Sequence, residues 1–189
     1  MSHRDTLFDN LSPIEAQAFH QNRRLPVEKA VQFAMKLLEQ GESHVDVAVL
    51  ATTCYEDLDE FNRDFVSAKK ALNVPPLSDS DAELIRLDCV LRWAHGSAEG
   101  LRDLSGELAE HGPTFFRMRD KAVAPNDLAD ILEGYWQLYL HSEDFFDLHL
   151  LSDRTSEKVA AAIKAANSDI QRMQALLRSK RPELFETPY

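Results

Sequence analysis

The sequence predicts an all-α protein, folded as a single multi-helix bundle of about eight or nine helices. Glycine and proline are scarce, at 6 and 8 of 189 residues, and both residue types interrupt helices. Several segments repeat apolar residues at the 3.6-residue period of an amphipathic helix. Two Ser-x-x-Glu sequences have the spacing of a helix capping box. We therefore expect one helical domain over residues 1–189, with loosely ordered ends at 1–11 and 181–189. Paired helices of this length could also stack as in a solenoid.

The first two predicted helices have clear boundaries. Ser12-Pro13-Ile14-Glu15 combines an N-cap serine, a proline at the first helical position and a glutamate three residues after the cap. Leu25-Pro26 precedes the second helix, and Gly41 is placed to end it as the residue after the C-cap. The apolar stripe of this second helix consists of Val27, Ala30, Val31, Ala34, Leu37 and Leu38.

The segment from Val45 to Cys54 fits two structures. Alternate valines indicate a strand, whereas residues 47, 50, 51 and 54 line one face of a helix. A lone strand would leave its backbone groups unpaired, and no partner strand is evident, so we predict a buried helix. A further helix is expected from about Asp57 to Leu72, before the Pro75-Pro76 break.

The second capping box, Ser80-Asp81-Ala82-Glu83, begins a helix that is apolar on most sides and that Gly96 ends. Helices of this kind lie in the middle of a bundle. The apolar residues are Leu84, Ile85, Leu87, Val90, Leu91, Trp93 and Ala94. A weaker helix with Leu101, Leu104 and Leu108 follows, and then a short helix over Phe115–Met118.

Two long helices complete the predicted bundle. The first opens at Pro125-Asn126-Asp127, and we expect a kink or break near His141 because Ser142-Glu143-Asp144 resembles a new cap with an acidic first turn. Its stripe consists of Leu128, Ile131, Leu132, Tyr135, Leu138 and Tyr139. The last helix, from about Thr155 to Arg178, has a heptad seam that is expected to be buried in the bundle or at a twofold interface. The seam residues are Val159, Ile163, Ala166, Ile170, Met173 and Leu177.

The charge of the chain is acidic, with a formal net charge of −11. Residues 76–150 hold 15 acidic and 6 basic side chains, whereas the residues from 151 onward hold 5 and 7. Such a field repels nucleic acid and acidic membranes and attracts basic proteins, so we expect a basic protein partner, no nucleic acid and no membrane. The N-terminus lacks a secretory signal and no apolar run approaches the ~20 residues of a membrane helix, which predicts a cytoplasmic protein. Cys54 and Cys89 are expected to be buried free thiols.

The sequence contains no glycine-rich phosphate loop, paired-cysteine motif, nucleophile elbow or His-Glu-x-x-His sequence. We therefore predict no cofactor, metal site or catalytic residue from a motif. Asp88, Arg92 and His95 lie at i, i+4 and i+7 on the most apolar helix, where they could perform acid–base chemistry. The simpler interpretation is an ion pair that keeps polar groups near the core.

Two features suit recognition better than chemistry. Between residues 39 and 64 there are eight acidic side chains and one basic side chain, Arg63. A solvated helix face would explain this charge, yet it is also the best candidate for a partner contact. The second feature is Trp136, on the flank of the long helix, which either packs in the core or forms a binding hot spot. The candidate binding residues are Glu56, Asp57, Asp59, Glu60, Asp64 and Trp136.

The leading hypothesis is a non-enzymatic acidic module of the inhibitor, immunity or adaptor and chaperone type, which engages a basic partner protein. One alternative is an all-α enzyme with a polar site around Asp88, Arg92 and His95. Another is a purely structural homodimer formed through the C-terminal heptad helix.

Overall fold

A computed structural model describes residues 3–96, 99–109, 126–150 and 156–185. It is 79 % helical and its described residues contain no strand, which confirms the all-α multi-helix prediction. The α-helices of these residues are α1 (Pro13–Gln21), α2 (Val27–Glu39), α3 (Val45–Thr52), α4 (Leu58–Ala71), α5 (Asp79–Ala94), α6 (99–109), α7 (Asn126–Leu150) and α8 (Ser156–Lys180). Short 3-10 helices cover His3–Phe8 and Pro182–Leu184. The predicted short helix over Phe115–Met118 lies outside the described residues.

The backbone contacts divide the chain into two compact units. The first unit contains Phe8–Ala82, and the second contains Met1–Leu7 and Glu83–Thr187. The first unit therefore includes α1 to α4, and the second includes α6 to α8 and most of α5.

The predicted start of α1 is confirmed. The Ser12 backbone N–H donates to Glu15 Oε2 at 2.6 Å, and the Glu15 N–H donates to Ser12 Oγ at 3.4 Å. These bonds satisfy two of the donors that a helix leaves unpaired at its N-terminus. The end of α2 is confirmed as well, because Gly41 follows its C-cap with a φ of 98°, a conformation that side chains with a Cβ rarely adopt.

Helix α3 is the middle helix of the first unit, since it packs against both α2 and α4. Its helical face is confirmed: Val47, Leu50 and Ala51 are buried. Val45 and Val49, which alternate with Val47 in the sequence, are exposed. The alternating valines therefore lie on opposite faces of a helix, with Val47 on the buried face and Val45 and Val49 on the exposed face.

Cys54 corrects one sequence prediction. Helix α3 ends at Thr52, and the hydroxyls of Thr52 and Thr53 donate to the carbonyls of Ala48 and Val49, at 2.8 Å each. Cys54 consequently lies after the helix and is exposed, whereas Cys89 is buried as predicted. Both cysteines are free thiols.

The start of α5 also differs from the prediction. The helix begins at Asp79, and the cap is Ser78, whose Oγ accepts from the Asp81 N–H at 3.1 Å. Ser78 and Asp81 have the same spacing as Ser80 and Glu83, so the sequence allows both caps. Burial decides between them, because Glu83 lies inside the helix and forms a buried ion pair with Arg86 at 3.3 Å.

The rest of α5 matches the prediction. Its apolar residues are almost all buried, and Gly96 follows its end with a φ of 78°. The next helix, α6, is also confirmed, because its three leucines, Leu101, Leu104 and Leu108, are buried.

The predicted break near His141 is wrong, because α7 continues from Asn126 to Leu150. Ser142 is buried and its hydroxyl donates to the Tyr139 carbonyl at 2.7 Å, one turn back along the same helix. The hydroxyl is therefore bonded within the helix and does not cap a new N-terminus. Glu143 stays on the exposed side, where its Oε1 accepts from the Tyr139 hydroxyl at 2.6 Å.

Helices α7 and α8 pack against each other in the second unit. The last four seam positions of α8, Ala166, Ile170, Met173 and Leu177, are buried, while the first two are half-buried. The seam is thus confirmed as a core element over its C-terminal part. On α7, Ile131, Tyr135 and Leu138 are buried, and the Tyr135 hydroxyl donates to the Leu108 carbonyl of α6. Within the described residues, no helix is sufficiently long and apolar to span a bilayer.

Candidate protein-binding surface

Five carboxylates lie close together at the start of α4, and we call them the acidic segment: Glu56, Asp57, Asp59, Glu60 and Asp64. The first two precede the helix and the other three lie in its first two turns. Glu56, Asp57 and Asp59 are exposed, and Glu60 and Asp64 are half-buried. The structure therefore brings together the five acidic residues that the sequence predicted.

Three members of the acidic segment stabilise the helix that carries them. Asp57 is the N-cap of α4, and its Oδ1 accepts from the Asp59 N–H at 2.9 Å. Asp59 and Glu60 occupy the first turn, where the positive end of the helix dipole favours negative charge. This arrangement offsets part of the repulsion among the carboxylates.

Asp64 is held in place by Tyr55. The Tyr55 hydroxyl donates to Asp64 Oδ2 at 3.1 Å, and its ring contacts the edge of Phe61 with centroids 5.4 Å apart. The pKa of Tyr55 is raised to about 12, chiefly by burial and also by the hydrogen bond to Asp64 and the negative charges of Asp64 and Glu60, while a hydrogen bond with Thr53 lowers it. Tyr55 is therefore a neutral hydrogen-bond donor at physiological pH.

The acidic segment has little countercharge. In the described structure, Arg63 Nε lies 4.0 Å from Asp64 Oδ1, and Arg63 is largely exposed. Other carboxylates of the described chain are paired more closely: Asp9 with Lys29 at 3.1 Å, Asp88 with Arg92 at 3.0 Å and Asp130 with Lys180 at 2.6 Å. The first half of α4 is thus a surface of concentrated negative charge.

An exposed apolar side chain lies within this surface. Leu58, the first residue of α4, is 66 % exposed and is flanked in sequence by Asp57 and Asp59. Sequence reasoning missed Leu58, because a leucine at the start of an amphipathic helix is more often part of its buried face. An apolar centre with a polar rim is a common arrangement in protein interfaces.

Trp136 belongs to the other unit and is 40 % exposed. Leu140, one turn further along α7, is 49 % exposed. The Trp136 ring meets the rings of Tyr135 and Tyr139 edge-on, with centroids 6.3 and 5.7 Å away. Trp136 and Leu140 therefore form a second exposed apolar site, on a helix whose opposite face is buried.

The alternative catalytic set is only partly assembled. The carboxylate of Asp88 is buried, and it accepts from Arg92 Nε at 3.0 Å and from Arg178 at 3.4 Å. The predicted ion pair is confirmed. His95 does not join it, because its Nε2 lies 3.0 Å from the side-chain nitrogen of Gln171. Two guanidinium groups on one carboxylate indicate a structural pair within the second unit.

Among the described residues, no group of three or more His, Cys, Asp or Glu side chains could hold a metal ion. In comparisons with known proteins, the chain matches no family model, no curated protein and no solved structure.

Proposed function

We propose that this chain is a cytoplasmic, non-enzymatic protein-binding module of the inhibitor, immunity or adaptor type, which engages a basic partner protein. The observation that carries the proposal is the acidic segment, whose five carboxylates share their stretch of chain with one basic residue, Arg63, which lies 4.0 Å from Asp64. Like charges at this density repel one another in the free protein. A cationic partner relieves that repulsion on binding.

The physical consequence is electrostatic steering. A basic surface is attracted to the acidic segment over roughly a Debye length, ~8–10 Å at physiological salt. Charges of this kind raise the association rate more than they slow dissociation. Exposed Leu58 supplies apolar area among the carboxylates. On the other unit, Trp136 and Leu140 are exposed apolar residues, and tryptophan is enriched at binding hot spots.

The rival functions have less support. An enzyme built on Asp88, Arg92 and His95 needs a carboxylate that is available to a substrate, whereas Asp88 accepts from two arginines. A homodimer through the α8 seam needs apolar residues that are open to a second copy. Four of the six seam positions are buried, which leaves the half-buried Val159 and Ile163 for such a contact.

The test compares two charge-matched variants in affinity capture from the native host. The first is Asp59→Lys with Glu60→Lys, which reverses two first-turn carboxylates of the acidic segment. The control is Glu28→Lys with Glu157→Lys, which reverses two first-turn carboxylates on α2 and α8. Both change the net charge from −11 to −7, since each replaces two negative by two positive side chains. Asp57 is left unchanged because it caps α4, and Asp64 is left unchanged because it accepts a hydrogen bond from Tyr55.

We expect the unmodified chain and the control to capture the same basic protein, and the Asp59 and Glu60 variant to lose it. With that partner in hand, the association rate should fall steeply as salt is raised while the dissociation rate changes less. An association rate that is independent of salt, or equal capture by both variants, would show that the acidic segment is not the contact surface.

A further inference from the structure

The outward face of α3 carries two exposed apolar side chains. Val45 is 71 % exposed and Val49 is 40 % exposed. They are four residues apart and so lie on the same face, one turn from each other. The opposite face of α3 supplies Val47, Leu50 and Ala51 to the core, so the exposed valines are not needed to hold the helix in place.

Helices α2 and α4 border the exposed face of α3. The helix is eight residues long and packs against the longer helices α2 and α4. Its sides are therefore occupied, and the face with Val45 and Val49 is what stays open. Eight helical residues span ~12 Å, about two turns, so the open face matches a short helical segment in length.

Negative charge is present at both ends of α3. Glu42 and Asp46 lie at its start, and Glu56 and Asp57 lie four residues or more beyond its end. The Glu42 carboxylate accepts from the backbone N–H groups of Ser43 and His44 at 2.7 and 3.0 Å. These bonds hold the pKa of Glu42 below its usual range, which keeps it ionised. Along the chain, the exposed valines thus lie between two groups of carboxylates.

We infer that the partner presents a short, basic amphipathic helix, whose apolar side packs on Val45 and Val49 while its lysines and arginines meet the carboxylates that flank α3. This inference rests on the proposed function and adds the structure of the partner's binding element. Recognition of an amphipathic helix by an apolar surface with a charged border is a common mode of peptide binding.

Charge complementarity decides between this occupant and the others. A second copy of this chain would bring its own carboxylates, eight acidic residues against one basic residue between positions 39 and 64, and would be repelled. An acidic lipid surface would be repelled for the same reason. A basic segment gains both from the valines and from the carboxylates.

The experiment uses three synthetic helical peptides of equal length and the full chain. The first peptide places leucines on one side and lysines on the other, the second replaces its leucines by serines, and the third replaces its lysines by glutamates. Binding is measured by fluorescence anisotropy with labelled peptides. The chain is tested unmodified, with Val45→Thr and Val49→Thr, and with the control Val66→Thr, which changes another exposed valine of the same unit.

Threonine has nearly the volume of valine, and all three positions are exposed, so the variants should fold alike. The leucine–lysine peptide should bind more tightly than the serine–lysine peptide. Each of Val45→Thr and Val49→Thr should weaken it about fourfold, and the double variant about fifteenfold, from the loss of one buried methyl group per site. Val66→Thr should leave its affinity unchanged.

Each other outcome overturns the inference in a distinct way. Equal binding of the two cationic peptides, with no effect of the valine substitutions, would show that the α3 face does not contact the peptide. The acidic segment would then remain as the binding surface. Failure of both cationic peptides to bind would contradict the proposed function as well. Tight binding of the glutamate peptide would show that charge plays no part. A dimer that dissociates in the double valine variant, seen by sedimentation without peptide, would identify a second copy as the occupant.

Discussion

At the scale of single residues, His20 shows how burial changes the chemistry of a side chain. Its ring stacks on Phe65 with centroids 4.1 Å apart and an interplanar angle of 12°, and it meets the edge of Phe61 at 5.6 Å. Its Nε2 lies 2.9 Å from Asn62 Oδ1. Burial lowers the pKa of His20 and the charge of Lys69 lowers it further, while the bond to Asn62 acts in the opposite direction. The folded protein therefore favours neutral His20.

This shift predicts a loss of stability in mild acid. Below about pH 6.5 the unfolded chain takes up a proton that the folded chain resists, so the free energy of unfolding falls as pH decreases. We expect His20→Gln to reduce that pH dependence when urea unfolding is compared at about pH 7.5 and about pH 5.5. The control is His44→Gln, which changes an exposed histidine of the same unit. An identical pH dependence for His20→Gln and the unmodified chain would contradict the prediction.

At the scale of elements, the contact between α7 and α8 depends on a glycine. A Cβ at Gly134 would lie 3.0 Å from Leu176 Cδ2 and 3.1 Å from Met173 Sδ. These distances are shorter than ordinary van der Waals contact, so a side chain at this position would press on Leu176 and Met173 of α8. In α6, by contrast, Gly106 faces open space, with no atom within 4 Å of the position of its Cβ.

The two glycines make a matched pair for substitution. We expect Gly134→Leu to lower the free energy of unfolding by about 1–3 kcal/mol, because it overpacks the contact with α8. Gly106→Leu should instead be neutral or stabilising, since leucine is a better helix former than glycine and the site is open. Urea denaturation of both variants measures the difference. Equal stability changes at the two sites would show that α8 does not pack closely on Gly134.

The α8 seam supplies a second prediction at this scale. Ile170 has no exposed surface, so Ile170→Asp would place an unpaired charge in an apolar contact. We expect a loss of about 3 kcal/mol or more, seen as a large fall in melting temperature. Ala165→Asp introduces the same charge at an exposed position of α8 and should cost well under half as much. A melting temperature that Ile170→Asp leaves unchanged would mean that the seam is exposed.

At the scale of the whole molecule, helix content is the property that both sequence and structure define. The scarcity of glycine and the repeated apolar stripes predict helices, and the structure is 79 % helical. Circular dichroism should therefore give a helical fraction well above the ~30–35 % of an average globular protein. A spectrum dominated by strand would contradict both the sequence patterns and the structure.

The sequence by itself determined the features that depend on neighbours within one helical turn. The Ser12–Glu15 capping box and the glycines at 41 and 96 are of this kind, because a cap or a positive φ involves only the adjacent backbone. The helical face of Val47, Leu50 and Ala51 could also be predicted, since burial repeats with the helix period. So could the clustering of the acidic segment, whose members lie within nine residues of one another.

Only the tertiary structure decided which of several local possibilities is realised. Ser78 rather than Ser80 caps α5 because Glu83 is buried beside Arg86, and α7 continues past His141 because Ser142 is buried and bonds back to Tyr139. The exposure of Cys54, Leu58, Val45 and Val49 likewise had no local signal. The physical reason is that helix hydrogen bonds join residues four apart, whereas the burial of a side chain depends on contacts with other helices.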